Sequence, residues 1–263
     1  MKISNTKKKR WIQGIHLFLW AILLAAPNLK AQFVYEEREN FANDVVRMCI
    51  EAYGGEIDSA SLSFTFRDKL YKGIFESGNY EMSRQFNKDD SLYLDRLSNS
   101  GFVRTVNSQS VELSERWVKA YSNSINSVFY FVMLPFKLQD EAVILSYFGK
   151  QKTKNGEYFL VKVSFKQEGG GEDHQDEFRY WVNSKTYLLD FFAYSYDTDG
   201  GGVRFRAVEK RHQSDSGHIF QDYINYKANV GIAMDSLLYI YDSGKLIELS
   251  KIRLENLQFE SIK

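Results

Sequence analysis

Tyr194 to Val208 reads YSYDTDGGGVRFRAV, which crowds two acids, three glycines and two arginines into a short stretch. Asp197, Asp199 and Gly200 resemble the start of a calcium loop. Such a loop needs a carboxylate at its twelfth position, here Val208, and a ligand at its fifth, here Gly201. A phosphate-binding loop needs Lys-Ser/Thr ahead of a helix, whereas Arg204-Phe205-Arg206 leads into an alternating, strand-like run. The glycines therefore read as a hairpin tip, where positive φ is required. What remains chemically is the arginine pair. Two residues apart on a strand, Arg204 and Arg206 share one face, with Phe205 on the other. Such a pair either meets acids on neighbouring strands or contacts an anion, a carboxylate or phosphate head group.

Other constellations are weaker. Asp173, His174, Asp176 and Glu177 cluster in a glycine-rich turn without the helical spacing of a zinc site, and His212 and His218 flank a second turn. No metal and no cofactor is expected. There is no G-x-S-x-G nucleophile elbow, and the 34 acids offer no pair that sequence can single out for glycoside hydrolysis. The single cysteine, Cys49, lies in a helical pattern and reads as a small buried residue. No catalytic residue is assigned, and the expectation is a non-enzymatic protein.

The elements that would position these groups follow from periodicity. Phe41, Val45, Met48 and Ala52 recur at helical spacing before Gly54. In SLSFTFR, Leu62, Phe64 and Phe66 alternate with Ser61, Ser63, Thr65 and Arg67, a strand with one wet face. Further strands are expected over Asn79–Phe86, Ser91–Leu97 and Phe102–Val106. A helix follows Ser114, with Trp117, Tyr121, Ile125 and Phe129 every four residues. It ends in an apolar run from Phe129 through Phe131 to Leu134, as for a helix buried all round or one covering an apolar cavity. Asp140 to Gly149 reads as a second short helix. The remainder reads as hairpins: Phe159, Val161, Val163 and Phe165 on one face; Phe178, Tyr180 and Val182 alternating with Arg179 and Trp181; then TYLLDFFAYSY, VRFRAVEKR, HIFQDYINYKA, SLLYIYD and KLIELSKIRLENLQFE.

The chain opens with a basic stretch, Lys7 to Arg10, and an apolar run from Ile15 to Ala26, read as a secretory signal peptide over residues 1–31 with cleavage near Ala31. The segment holds six basic residues and no acid, leaving 28 basic against 34 acidic residues, a net charge of −6. An acidic exported protein is a poor partner for nucleic acid. Residues 32–263 are expected to form a single domain, periplasmic or secreted. Pro135 is their only proline, so no proline-rich linker marks a boundary.

The early AYGG, LPFKLQDEAV, YFLVKVSFK, YWVNSKTYLLDFFAYSY, GGGVRFR and QDYINY resemble an exported Gram-negative family of unknown function, and through it the LolA-like half-barrel superfamily. The resemblance covers roughly Phe41 to Gln258. In that family a histidine commonly precedes the first glycine pair; here Tyr53 stands there. The resemblance implies an α+β fold, a curved antiparallel sheet wrapped around a few helices and enclosing an apolar cavity. It implies a lipid or lipoprotein acyl chain as ligand and an outer-membrane protein as a further partner. On this layout Phe64, Phe66, Val161 and Val163 would line the cavity, and Trp117, Tyr121, Phe129 and Phe131 would form its lid. Arg204 and Arg206 would hold an anionic head group. An interaction domain with a packed interior and a hydrolase of envelope or carbohydrate substrates stay open beside it.

Overall fold

The computed structural model describes residues 32, 34–166, 176–196, 201–228 and 231–262. The expectations placed on residues 1–31, Asp173, His174, Asp197 and Asp199 lie outside them.

Among the described residues fourteen strands form two seven-stranded antiparallel sheets. Sheet 1 holds β1 (Ser59–Phe66), β2 (Lys69–Glu76), β3 (Asn79–Lys88), β4 (Ser91–Ser98), β5 (Gly101–Val106) and β6 (Gln109–Val111) in chain order, with β14 (Glu255–Ser261) beside β1. Sheet 2 holds β7 (Val143–Thr153), β8 (Gly156–Phe165), β9 (Phe178–Asn183), β10 (Leu189–Tyr196), β11 (Gly202–Gln213), β12 (Ile219–Lys227) and β13 (Ile247–Ile252). Each sheet is a meander of neighbouring strands, and neither closes into a barrel. The chain's last strand returns to sheet 1, so β13 and β14 tie the two sheets together across a short turn.

Helix α1 (34–52) and helix α2 (Glu115–Val132) sit against the inner faces of the sheets. Helix α1 buries Ala42, Val45, Val46, Cys49, Ile50 and, just past its end, Tyr53. That stripe is rotated from the expected one: Phe41 and Met48 stay exposed, because the adjacent row of smaller residues fits closer to the sheets. After Tyr53 the chain turns at Gly54, whose φ of +110° and 2.8 Å clearance from the His218 backbone admit no side chain. There Ile219 N donates to Tyr53 O, pinning the helix end to β12.

Helix α2 buries Ile125, Phe129 and Val132 and exposes Trp117, which stacks on Tyr121. Phe129 packs against Phe64, Tyr71 and Phe75 directly over Gly73. A Cβ at Gly73 would stand 2.7 Å from the Phe129 ring, so the glycine sets how closely α2 approaches sheet 1.

Two expectations are corrected. Asp140 to Gly149 is not a helix; its second half is β7, fixed by pairing with β8 from Val143↔Phe165 to Thr153↔Gly156. SLLYIYD is not a strand but the short helix α3 (Leu237–Asp242), which lays Leu237, Leu238 and Tyr241 on the outer face of sheet 2. They cover Trp181, Phe191 and Phe205, forming a second apolar cluster. Trp181 and Arg179 are therefore buried as well, with Arg179 held by Asp235 and Glu177. The central strands of sheet 2 are covered on both sides, whereas the outer face of sheet 1 is open and carries exposed Ile74 and Val103.

Candidate functional site

The inner face of sheet 1 is built in cross-strand rows, because residues paired in antiparallel register project to the same side. One row runs Phe64, Tyr71, Arg84, Asp95 and Arg104. Asp95 is fully buried and accepts from both arginines, at 2.6 Å from Arg84 Nη2 and 2.9 Å from Arg104 Nη2. Arg84 Nη1 also donates to Ser124 Oγ of α2 (2.9 Å), and the Arg104 guanidinium lies 3.8 Å from the centre of the Tyr121 ring. An ion ladder thus anchors the N-terminal half of α2. Sequence reasoning missed it, although the turn at Asp89–Asp90 sets Arg84 opposite Asp95 by simple counting.

The C-terminal half of α2 crosses to sheet 2. Phe131 stacks on Phe192 and Tyr194, and Tyr130 meets Phe165 and Phe178. Arg206 lies in this aromatic trough, 91% removed from solvent, with its guanidinium 4.1 Å from the Phe131 ring centre and 5.3 Å from those of Phe192 and Tyr194. Its Nη2 donates to Tyr194 Oη (3.2 Å) and its Nε is buried without a hydrogen bond. Among the described residues no carboxylate pairs with it. Arg204 shares the face, as the alternation required, and its guanidinium lies 4.8 Å from the ring centre of Tyr196, half-exposed at the edge. Arg206 is thus a buried guanidinium set among three rings with one buried donor, Nε, left unsatisfied.

Beside Arg206, buried tyrosines link by their hydroxyls. Tyr130 Oη and Tyr180 Oη are 3.1 Å apart; Tyr53 Oη donates to Gln221 Oε1 (2.6 Å), and Gln221 Nε2 donates to Tyr223 Oη (2.6 Å). Burial pushes all four phenols above the ordinary tyrosine range, so they stay neutral hydrogen-bonding groups. Burial likewise pushes the Cys49 thiol up, which disfavours its thiolate.

Of the expected lining, Phe64, Val161 and Val163 are fully inside, Phe66 packs at the margin, and Phe129 and Phe131 reach sheets 1 and 2 respectively. Trp117 departs from it, lying nearly half exposed on the solvent side of α2. Apart from Trp117, these side chains belong to one buried apolar cluster that joins the helices to both sheets. A cleft of about 510 Å³ lies elsewhere, between α1 at Asn43, Asp44 and Arg47 and the segment from Leu138 to Leu145. Among the described residues no group of His, Cys, Asp and Glu converges as metal ligands, and no helix is long and apolar enough to cross a membrane.

A two-sheet antiparallel frame around helices, with an aromatic trough under α2, defines the class. Over residues 84–255 the chain matches a family of unknown function, DUF6503, and it belongs to that family. No curated protein matches it. Among solved structures it is similar to a LolA superfamily protein from Nitrosomonas europaea, with 8% identity, a TM-score of 0.48, and coverage of 84% of this chain and 94% of that one. It is also similar to a DUF1329 family protein from Desulfovibrio piger (11% identity, TM-score 0.40, 85% and 93% covered). A candidate outer-membrane lipoprotein-sorting domain from Vibrio parahaemolyticus shares 8% identity at a TM-score of 0.42, with 78% and 99% covered. At these scores the likenesses add nothing to the topology described above.

Proposed function

We propose that the protein is a non-enzymatic envelope protein, exported by its N-terminal segment, that binds an amphiphile between α2 and the inner faces of the two sheets. The ligand is a lipid or a lipoprotein acyl chain with an anionic head. The observation that carries this reading is Arg206, a buried cation stacked on Phe131 of α2 with no carboxylate partner among the described residues. An isolated buried charge is costly, and an anionic head group would neutralise it. The apolar residues around it suit the chain, since shielding acyl carbon from water is worth ~0.8 kcal/mol per CH₂. Because Phe129 and Phe131 pack against sheets 1 and 2, entry requires the C-terminal half of α2 to lift with them, while the Arg84–Asp95–Arg104 ladder holds its other half. Residues 32–263 act as one unit in this scheme, and an outer-membrane protein is the natural recipient of the cargo.

The extensive buried apolar cluster favours a second reading, an envelope interaction domain that carries no ligand. Native mass spectrometry on mature protein purified without detergent, followed by solvent extraction, separates the two. A stoichiometric anionic amphiphile, reduced in Arg206→Gln, is the expected result. An empty protein under the same conditions would overturn the proposal in favour of the interaction domain.

A further inference from the structure

A second row on the inner face of sheet 1 lies next to the ladder, toward the β1–β2 and β3–β4 turns. Phe66 pairs with Lys69, and Phe86 pairs with Tyr93. The Lys69 ammonium stands 4.8 Å from the centre of the Phe86 ring, which joins the two pairs into one ledge. Phe86 and Tyr93 are stacked at 5.1 Å, and all four side chains are half-buried. Directly behind the ledge run Arg84, Asp95 and Arg104, with Arg84 5.7 Å from the Phe86 ring and Arg104 5.6 Å from that of Tyr93.

The charges here do not balance. Lys69, Arg84 and Arg104 face a single carboxylate, Asp95, whose oxygens are both taken by the arginines. Among the described residues the Lys69 ammonium has neither a hydrogen bond nor an ion pair; Arg67, 5.0 Å from the Phe66 ring, adds a further cation at the turn. Burial first, and the Arg84 charge second, lower the pKa of Lys69. A lysine held among cations and rings, without a counter-ion, is arranged for an incoming anion.

We propose that this ledge is an anion-binding site that takes a phosphate monoester on Lys69, with the carbon skeleton of the ester against Phe66, Phe86 and Tyr93. The match is one of charge. Lys69, Arg84 and Arg104, with Arg67 at the turn, outnumber the one carboxylate Asp95, and a phosphate monoester brings about −1.5 to −2 at neutral pH. Arg84 and Arg104 act through their field, since Asp95 occupies them, and Lys69 makes the contact. The site is separate from Arg206, which lies on sheet 2 beneath the other end of α2. It requires neither an acyl chain nor movement of the helix.

The test is calorimetric titration of the mature protein with two probes: glycerol 3-phosphate, a free monoester, and dihexanoyl phosphatidic acid, which carries the same group on a lipid. Lys69→Met keeps the apolar stem over Phe86 and removes only the charge. It should weaken binding at least about tenfold, the effect of losing one charge-assisted contact, and Lys69→Arg should restore it. Arg206→Gln should leave glycerol 3-phosphate binding unchanged, so loss of amphiphile retention and loss of ledge binding are distinguishable with the free monoester. Binding of both probes identifies the phosphate alone as the ligand, whereas binding of the lipid probe only, still lost in Lys69→Met, identifies a lipid source. Failure of both probes, or equal affinity in folded Lys69→Met, overturns the proposal.

Discussion

The two sheets have the same strand number and the same meander, yet they solve opposite problems. Sheet 1 has one face in water and pairs three charged side chains on its inner face, where α2 covers them. The central strands of sheet 2 are covered on both faces, by α1 and α2 on one side and by α3 on the other, and among the described residues its inner face keeps one buried arginine, Arg206, without an acid. The contrast divides the labour along α2. Its N-terminal half is tied to a neutralised carboxylate on sheet 1, and its C-terminal half rests on aromatic rings around an unneutralised cation on sheet 2.

The sharpest break in that contrast is Asp95→Ala, which leaves two buried guanidinium groups without their carboxylate. A loss of roughly 3–5 kcal/mol is expected from urea unfolding. Arg206→Met on sheet 2, which removes a cation that has no acid partner, should instead leave stability within about 1 kcal/mol or raise it. Next in size is Leu237→Ala, which opens the cover over Trp181 and Phe205. It should cost about 2–5 kcal/mol, with faster hydrogen exchange in β9 and β11 and none of that change in sheet 1. Gly54→Ala tests the seam where α1 meets β12; the left-handed φ and the 2.8 Å approach to His218 predict a loss of about 1–3 kcal/mol. Trp117→Ala, on the solvent side of α2, should fall within about 0.5 kcal/mol of the parent.

A pH titration sharpens the same comparison. Tyr53, Tyr130, Tyr180 and Tyr223, the buried phenols, have folded-state pKa values raised above those of the unfolded chain. Their contribution is therefore fully present below about pH 10, the ordinary tyrosine value, and is lost as pH rises toward the folded values. Absorbance of phenolate should appear for these residues only with unfolding, and Tyr180→Phe should shallow the alkaline fall in stability.

Sheet 1 was legible because one of its faces is wet. SLSFTFR alternates cleanly, and Leu62 and Phe64 lie inside with Ser61 and Ser63 opposite. Sheet 2 hides its pattern where both faces are buried: Trp181 and Arg179 alternate with Phe178, Tyr180 and Val182, yet α3 and Asp235 cover them too. For Asp140 to Gly149, an acid at the start and a glycine at the end imitated helix signals, while the deciding contact was pairing with β8. SLLYIYD has strand-like composition, and only the apolar surface beneath it makes a one-turn helix favourable. The arginine pair was placed on its shared face correctly. The ion ladder required counting outward from two hairpin turns, for Arg84 and Asp95 flank Asp89–Asp90 equally and Asp95 and Arg104 flank Asn99–Ser100 equally.

The claim that α2 yields at its sheet 2 end is tested most directly by hydrogen exchange of the mature protein, with and without an anionic lysophospholipid. The account predicts that amides from Phe129 to Val132 exchange faster than those of β3 and β10 in the free protein and become protected on adding lipid, while amides near Ser124 change little. Exchange of α2 only through global unfolding, with no effect of lipid, would contradict it.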